Sequence, residues 1–392
     1  MKALVAGDMV IFRGGTHRDA IALEYPTLNA TAADPIVFLN YPGEKAIIDT
    51  LNSGIRVTRS SYIVFDGMII VNSDSQHLGD GISGNTDNHL TFRNIEVKDH
   101  YRGLMMMQDL RDMVLENCVF HDNGGEHGIY IGCRELPNTN LTIRGCLSYH
   151  NAWHGIQING NSTNQILENN IVHSNGLAGF SIVDGIHNSF FRNNLIFNNA
   201  KQGMVFYFYN SSYYTTASYA AGNNVIEGNT IWVGQYANIG DTQPTNYAAI
   251  LFNDDSSAQA ADFGNTIIRN NIISTHNGAT VQFMERKWAL TDTIENNVIF
   301  RYNGPSRIVD YAGTLVSFSG MTTFNSKFRN NVNADPKFVN APLSLYATPE
   351  KFNFELLSGS PAIDLGLPTG TSPLDLHGKP RSGKPDAGVY EF

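Results

Sequence analysis

Leu167-Glu168-Asn169-Asn170, Phe191-Arg192-Asn193-Asn194, Ile226-Glu227-Gly228-Asn229, Ile268-Arg269-Asn270-Asn271, Ile294-Glu295-Asn296-Asn297 and Phe328-Arg329-Asn330-Asn331 are copies of one pattern. Four earlier copies precede them: Phe65-Asp66-Gly67-Met68, Phe92-Arg93-Asn94-Ile95, Leu115-Glu116-Asn117-Cys118 and Ile143-Arg144-Gly145-Cys146. The third position advances by 27, 23, 28, 24, 24, 35, 42, 26 and 34 residues. Short steps cluster near 24, so the long ones must carry insertions. Apolar residues alternate within each copy, and a second short apolar run such as Ile171-Val172 follows the Asn. This is the grammar of short strands separated by bends, without helical periodicity.

A ~24-residue period leaves too little chain for crossover helices between parallel strands. It suits coils of three short strands, each strand pairing in parallel with its equivalent one turn later. The expected fold is therefore all-β, a right-handed parallel β-helix of about ten or more coils in one domain, 1–392. Residues 1–60 form N-terminal coils and a cap, and 61–332 the central repeats with aromatic insertions near 206–247. Residues 333–392 form a C-terminal cap segment.

Composition agrees. Asn accounts for 43 of 392 residues, and Asn tolerates the left-handed backbone of tight bends. With 42% hydrophobic and 16% charged residues the chain is neither disordered nor, lacking a long apolar run, built of spanning helices. A formal charge of −10 without a basic face argues against nucleic acid as a partner. Three cysteines cannot make a disulfide framework.

The fourth position of the last six copies is Asn: 170, 194, 229, 271, 297 and 331. Coils stack about 4.8 Å apart, so these amides can hydrogen-bond in a ladder. Cys118 and Cys146 fill the same slot two coils earlier and read as small buried core residues, as does Cys133 outside the register.

The ladder and the ~24-residue coil resemble the right-handed β-helix group of pectate lyases, alginate and chondroitin lyases and related epimerases and hydrolases. The opening Gly7-Asp8-Met9-Val10-Ile11-Phe12-Arg13-Gly14-Gly15-Thr16 is similar to the first strand and turn of that group. So is the ending, from Asp335-Pro336-Lys337-Phe338 through Ser358-Gly359-Ser360-Pro361-Ala362-Ile363-Asp364 to Asp386-Ala387-Gly388-Val389-Tyr390-Glu391. The resemblance implies a secreted or periplasmic protein, although no leader peptide is visible. It implies a monomer whose partner is a polysaccharide or oligosaccharide, with neither nucleic acid nor membrane.

A second pattern, a variable residue followed by Gly and an apolar residue, places candidate chemistry. It reads Asp80-Gly81-Ile82, Arg102-Gly103-Leu104, His127-Gly128-Ile129, His154-Gly155-Ile156, Ala178-Gly179-Phe180 and Gln202-Gly203-Met204. Spacings of 22, 25, 27, 24 and 24 put the first residues in one column. Strand alternation aims Ser83, Met105, Tyr130, Gln157, Ser181 and Val205 outward beside them. The catalytic candidates are Asp80, Arg102, Glu126, His127, Tyr130 and His154. Trp153, Gln157, Lys201, Gln202, Tyr207 and Tyr209 are substrate-binding candidates, the tyrosines as flat platforms for sugar rings in an insertion with Tyr213, Tyr214, Trp232 and Tyr236.

The resemblance implies β-elimination on a uronic-acid polysaccharide. Arg102 would neutralise the carboxylate, His127 or His154 would take the C5 proton, and Tyr130 would share in proton transfer. Hydrolysis by Asp80 and Glu126 is the alternative. C5 epimerisation, or a non-catalytic polysaccharide-binding solenoid, is a further one. No cofactor is required on this reading. Calcium is possible, but Asp80, Glu126 and Asp184 are thin for an all-protein site. Zinc is disfavoured because His121 and His150 fall at a different coil position from His127 and His154.

Overall fold

The computed structural model describes residues 4–24, 30–74, 76–133, 136–208, 222–234, 248–254, 264–276, 283–285, 292–302, 304, 307–311, 314–342, 348–368 and 372–392. They fall into two compact units, Met1–Ile166 and Leu167–Phe392. Each is a stack of parallel coils. Helix is sparse among the described residues, chiefly Met321–Phe324 and two short 3-10 turns, and none is long and apolar enough to cross a membrane.

One coil of the first unit shows the plan. Asn88–Arg93, Glu96–Lys98 and Arg102–Met107 lie in three different sheets. Each pairs in parallel with the strand one coil away, as in Phe65↔Phe92↔Leu115, Ile70↔Val97↔Phe120 and Ser83↔Met105↔Tyr130. Alternate residues point inward, and identical rings then stack. Phe38, Phe65 and Phe92 follow one another at 5.0 and 5.1 Å, nearly parallel. The second unit repeats this, with Phe206 on Phe252 at 4.8 Å.

The sequence repeat marks a corner. Its third residue has positive φ in all ten copies, from +53° at Asn117 to +86° at Gly67, which explains the exclusive use of Asn and Gly there. Its fourth residue builds the expected ladder in the second unit. Asn170, Asn194, Asn229, Asn271, Asn297 and Asn331 are joined by side-chain hydrogen bonds, each Nδ2 donating to the next Oδ1, of 3.0, 2.9, 2.9, 2.9 and 2.9 Å. In the first unit Cys118 fills the slot with its thiol 3.4 Å from the Phe92 carbonyl.

The second residue of the repeat carries a further regularity. Along the ten copies it alternates in sign: Asp66, Arg93, Glu116, Arg144, Glu168, Arg192, Glu227, Arg269, Glu295, Arg329. These side chains stand on the outer face of the first sheet and pair in order. Asp66–Arg93, Glu116–Arg144, Glu168–Arg192, Glu227–Arg269 and Glu295–Arg329 close at 2.8, 2.7, 2.7, 2.9 and 2.7 Å. The exposed pairs contribute only some tenths of a kcal/mol each, whereas Glu227–Arg269 is largely buried; together they oppose any slip of the stack.

The C-terminal segment lies along a side of the second unit. Its Phe338, Phe354, Leu356, Ala362, Ala387 and Val389 pack on Leu195, Phe197, Trp232, Ile272 and Val298 from the outer face of the second sheet. The outward positions of these strands are mostly apolar where the segment covers them; in the first unit the same row mixes apolar Ile69, Val119 and Leu147 with polar Glu96, Lys98 and His121. Corner amides anchor the segment: Asn296 Nδ2 donates to Leu365 O at 2.8 Å, and Arg381 Nη2 donates to Asn193 Oδ1 at 3.1 Å. This corrects the expected aromatic insertion. Phe206 and Tyr207 belong to the strand Met204–Phe208, and Trp232 is buried against Phe352 and Phe354. Tyr209, Tyr213, Tyr214 and Tyr236 lie outside the described residues.

Candidate functional site

The column of variable residues runs along one edge of the third sheet in the first unit. Main-chain bonds hold it: Gly103 N–H donates to His127 O at 3.0 Å, and Gly128 N–H to His154 O at 3.1 Å. The glycines permit the close stacking. A Cβ on Gly128 would come within 2.8 Å of Gly155 O and 2.7 Å of Asn151 Nδ2. The residues just before the column, Tyr101, Glu126 and Trp153, form a second row, with Glu126 N–H donating to Tyr101 O and Trp153 N–H to Glu126 O, each at 2.8 Å.

Arg102 is the centre. Its Nε donates to Asp80 Oδ1 at 2.7 Å and its Nη1 to Glu126 Oε2 at 3.1 Å, while Tyr101 Oη donates to Glu126 Oε1 at 3.3 Å. The guanidinium also lies 5.3 Å from the Tyr101 ring. Nη2 has no partner among the described residues. Burial pushes the Asp80 carboxyl up; Arg102 pulls it back down, and the Glu126 charge pushes it up again. The Arg102 charge is thus fixed in place and outnumbered by two carboxylates.

Beside it three rings stack. His127 lies 5.3 Å from Tyr130 and 5.3 Å from His154, both nearly parallel, with the edge of Trp153 at 5.4 Å. His127 is only 2% exposed. Its Nδ1 accepts from the His154 N–H at 3.4 Å, so Nε2, 3.8 Å from Glu126 Oε2, carries the proton. Burial, then the neighbouring His154 and Arg102, push its pKa down to about 3. His127 is therefore a neutral ring that orients its neighbours, and His154, half-buried, is the histidine nearer to solvent. Tyr130 Oη accepts from Asn159 Nδ2 at 3.2 Å, and Tyr130 pairs directly with Gln157 in the next strand.

This gives a pH prediction. In the unfolded chain the His127 ring takes a proton near 6.5, but in the fold it stays neutral down to about 3. The unfolded state binds more protons across that window, so stability falls with falling pH, by about 1.4 kcal/mol per pH unit for the one ring. His100, pushed down to about 4 by burial, adds to this, and Asp87, pushed up to about 6 by burial, opposes it between its unfolded value of 3.8 and about 6. His127→Gln should remove its share of the slope. Urea unfolding of wild type and variant at pH 7 and 5 checks this, and equal slopes would contradict the neutral buried ring.

Thus Asp80, Arg102, Glu126, His127, Tyr130, Trp153, His154 and Gln157 come together in the first unit. Lys201, Gln202 and Tyr207 belong to the second, where Gln202 is buried and Tyr207 packs on Ala178, Val205, Ala248 and Leu251; Tyr209 lies outside the described residues. Tyr101 and Asn159 were missed by sequence reasoning. Tyr101 stands just before Arg102 as Glu126 does before His127, so its place was readable.

Among the described residues no three His, Cys, Asp or Glu side chains converge to hold a metal ion. The carboxylates nearest a candidate calcium position, Asp80 and Glu126, are both engaged with Arg102, and Asp184 is buried in the second unit. These residues do not fit a calcium site. His121 and His150 turn instead to Asp122, at 2.6 and 3.5 Å.

Residues 45–196 match the family described as right handed beta helix region. The chain folds as a right-handed parallel β-helix. Solved β-helix structures agree. The pectate lyase Pel9A superimposes with a TM-score of 0.58 at 16% identity, covering 99% of this chain and 89% of that one. The A-module of the Azotobacter vinelandii mannuronan C-5 epimerase AlgE6 gives 0.55 at 16%, covering 84% and 92%. A GH87 α-1,3-glucanase from Streptomyces thermodiastaticus strain HF3-3 gives 0.51 at 12%, covering 78% and 60%. No curated protein sequence matches the chain. At these identities the likeness is one of fold, on which several chemistries are built.

Proposed function

We propose that the third-sheet face of the first unit binds an acidic polysaccharide and cleaves it by β-elimination at a uronate residue. The observation that carries this reading is the fixed guanidinium of Arg102 beside the Tyr130–His127–His154 ring stack. Asp80 and Glu126 hold the fork still, and Nη2 remains to take a substrate carboxylate. Neutralising that carboxylate makes the C5 proton acidic. His154 takes the proton, the electron pair forms the C4–C5 double bond, the C4–O4 bond breaks, and O4 receives a proton from Tyr130. His127 positions the two reacting rings. Exposed Tyr101 and Trp153, 39% and 45% accessible, flank the cluster as surfaces for sugar rings. Structural neighbours named for pectate and mannuronan support the substrate class.

A second reading, hydrolysis, is favoured by one observation: two carboxylates flank one guanidinium, and Asp80 is pushed toward the protonated form a general acid needs. Incubation with pectate, alginate and glycosaminoglycans separates the two. Elimination leaves an unsaturated, ultraviolet-absorbing end, whereas hydrolysis gives reducing ends without that absorbance. No divalent cation should be needed. Arg102→Met and His154→Gln are each expected to lower kcat by about 10²-fold or more, with the fold retained by circular dichroism. Full activity in both would overturn the residue assignment.

A further inference from the structure

On the same sheet, nearer the N-terminus, the side chains form a groove with chemistry of its own. The strands Ile21–Glu24, Ile55–Thr58, Asp80–Asn85 and Arg102–Met107 pair so that Arg56, Ser83 and Met105 stand in one outward row, and Glu24, Thr58, Asn85 and Met107 in the next. Short Ser83 and Asn85 lie between long Arg56 on one side and Met105 and Met107 on the other. The result is an open depression of about 260 Å³ lined by these residues, with Glu24 and Thr58 at its rim.

Its lining is polar on one side and apolar on the other. Arg56 makes one ion pair, Nε to Glu24 Oε1 at 3.2 Å, between side chains 39% and 54% exposed, and its Nη1 and Nη2 have no partner among the described residues. An exposed pair of this kind is weak and readily exchanged for another carboxylate. Asn85 Oδ1 accepts from Thr86 at 2.8 Å and Ser83 Oγ donates to Ser53 at 3.2 Å, which fixes their orientation. Opposite them two methionines offer a soft apolar wall for the C–H face of a ring. A planar anion, hydroxyls and an apolar face together describe one sugar acid.

We infer that this groove is a distal subsite for a uronate residue, with Arg56 taking its carboxylate bidentately. The inference rests on the polysaccharide reading above. The row runs on directly from Arg56 through Ser83 and Met105 to Tyr130. That is three coils, roughly 14 Å at the usual inter-strand spacing, so one chain lying along the axis reaches both places. Arg56 then sets a preference for acidic chains long enough to span the row.

Isothermal titration with tetragalacturonate, tetramannuronate and neutral cellotetraose tests this on the full chain. Wild type should bind at least one acidic tetramer, more weakly at high salt, and not cellotetraose. Arg56→Met and, separately, Ser83→Trp, which fills the groove, should each weaken that binding about tenfold or more, while Glu24→Gln should tighten it. Acidic binding that survives both Arg56→Met and Ser83→Trp overturns the subsite even if turnover is observed. Loss of binding in those variants upholds it even if no polymer is cleaved, in which case the elimination chemistry alone fails. Absence of any acidic binding to wild type also overturns it.

Discussion

Alanine at Gly103 should destabilise the first unit by about 3 kcal/mol or more, at the upper end of what overpacking costs. The added Cβ would press on the Gly128 carbonyl oxygen, with Phe120 Cδ1 at 2.9 Å and Asn123 Nδ2 at 3.0 Å. None of these can step aside cheaply. The Gly128 oxygen accepts the Leu104 N–H at 3.0 Å, Phe120 is fully buried, and Asn123 Nδ2 donates to Asn151 Oδ1 at 2.7 Å. Relief requires the coils to separate just where Arg102 and His127 are positioned, so stability and site geometry should fail together. The slot is local: in the second unit Ala249 fills the place that Gly203 holds one coil earlier and is fully buried. Urea midpoints and backbone hydrogen exchange measure the effect; an unchanged midpoint would mean that the coils can spread without cost.

Asn229→Ala should cost the second unit about 3–5 kcal/mol. Asn229 Nδ2 donates to Phe191 O at 2.8 Å and to Asn271 Oδ1 at 2.9 Å. Its Oδ1 accepts both the main-chain and side-chain N–H of Asn194, each at 2.9 Å. Alanine leaves the Asn194 main-chain N–H and one of its side-chain N–H groups without their acceptor in a fully buried place, at about 1–3 kcal/mol apiece, and leaves a gap. Asn229→Asp should be worse, because an acceptor then faces two acceptors. Asn229→Cys should cost less than alanine, since Cys118 shows how a thiol fills this slot against a carbonyl. The end rung, Asn331, is only partly buried, and Asn331→Ala should be the mildest of the series. Thermal unfolding ranks the four variants. If Asn331→Ala proved as damaging as Asn229→Ala, burial of the rung would not set its cost.

The stack was legible in the sequence because its requirements recur at fixed places. A left-handed corner accepts only Asn or Gly cheaply, and ten copies announce it. The outward row was legible for a similar reason, since Gly103 and Gly128 fix where each strand of the third sheet begins. Contacts between coils were less so. Nothing in the spacing of Asp80, Arg102 and Glu126 states that one guanidinium would serve both carboxylates, or that His127 would be buried while His154 stays nearer to water. The aromatic residues misled because a long step between corners does not say which residues belong to the insertion: Phe206 and Trp232 are in strands. Their fate depends on the C-terminal segment, whose docking face was marked by lost alternation at Leu195, Phe197 and Trp232.

The alternating charges of the first sheet have a consequence for how such a chain can grow. Removing one coil, say from Asn94 to Glu116, would set Arg93 beside Arg144, and duplicating one would place two like charges face to face. Removing or adding two coils restores every pair. The pairing on this face therefore repeats over a doublet of coils, about fifty residues, rather than over the single turn.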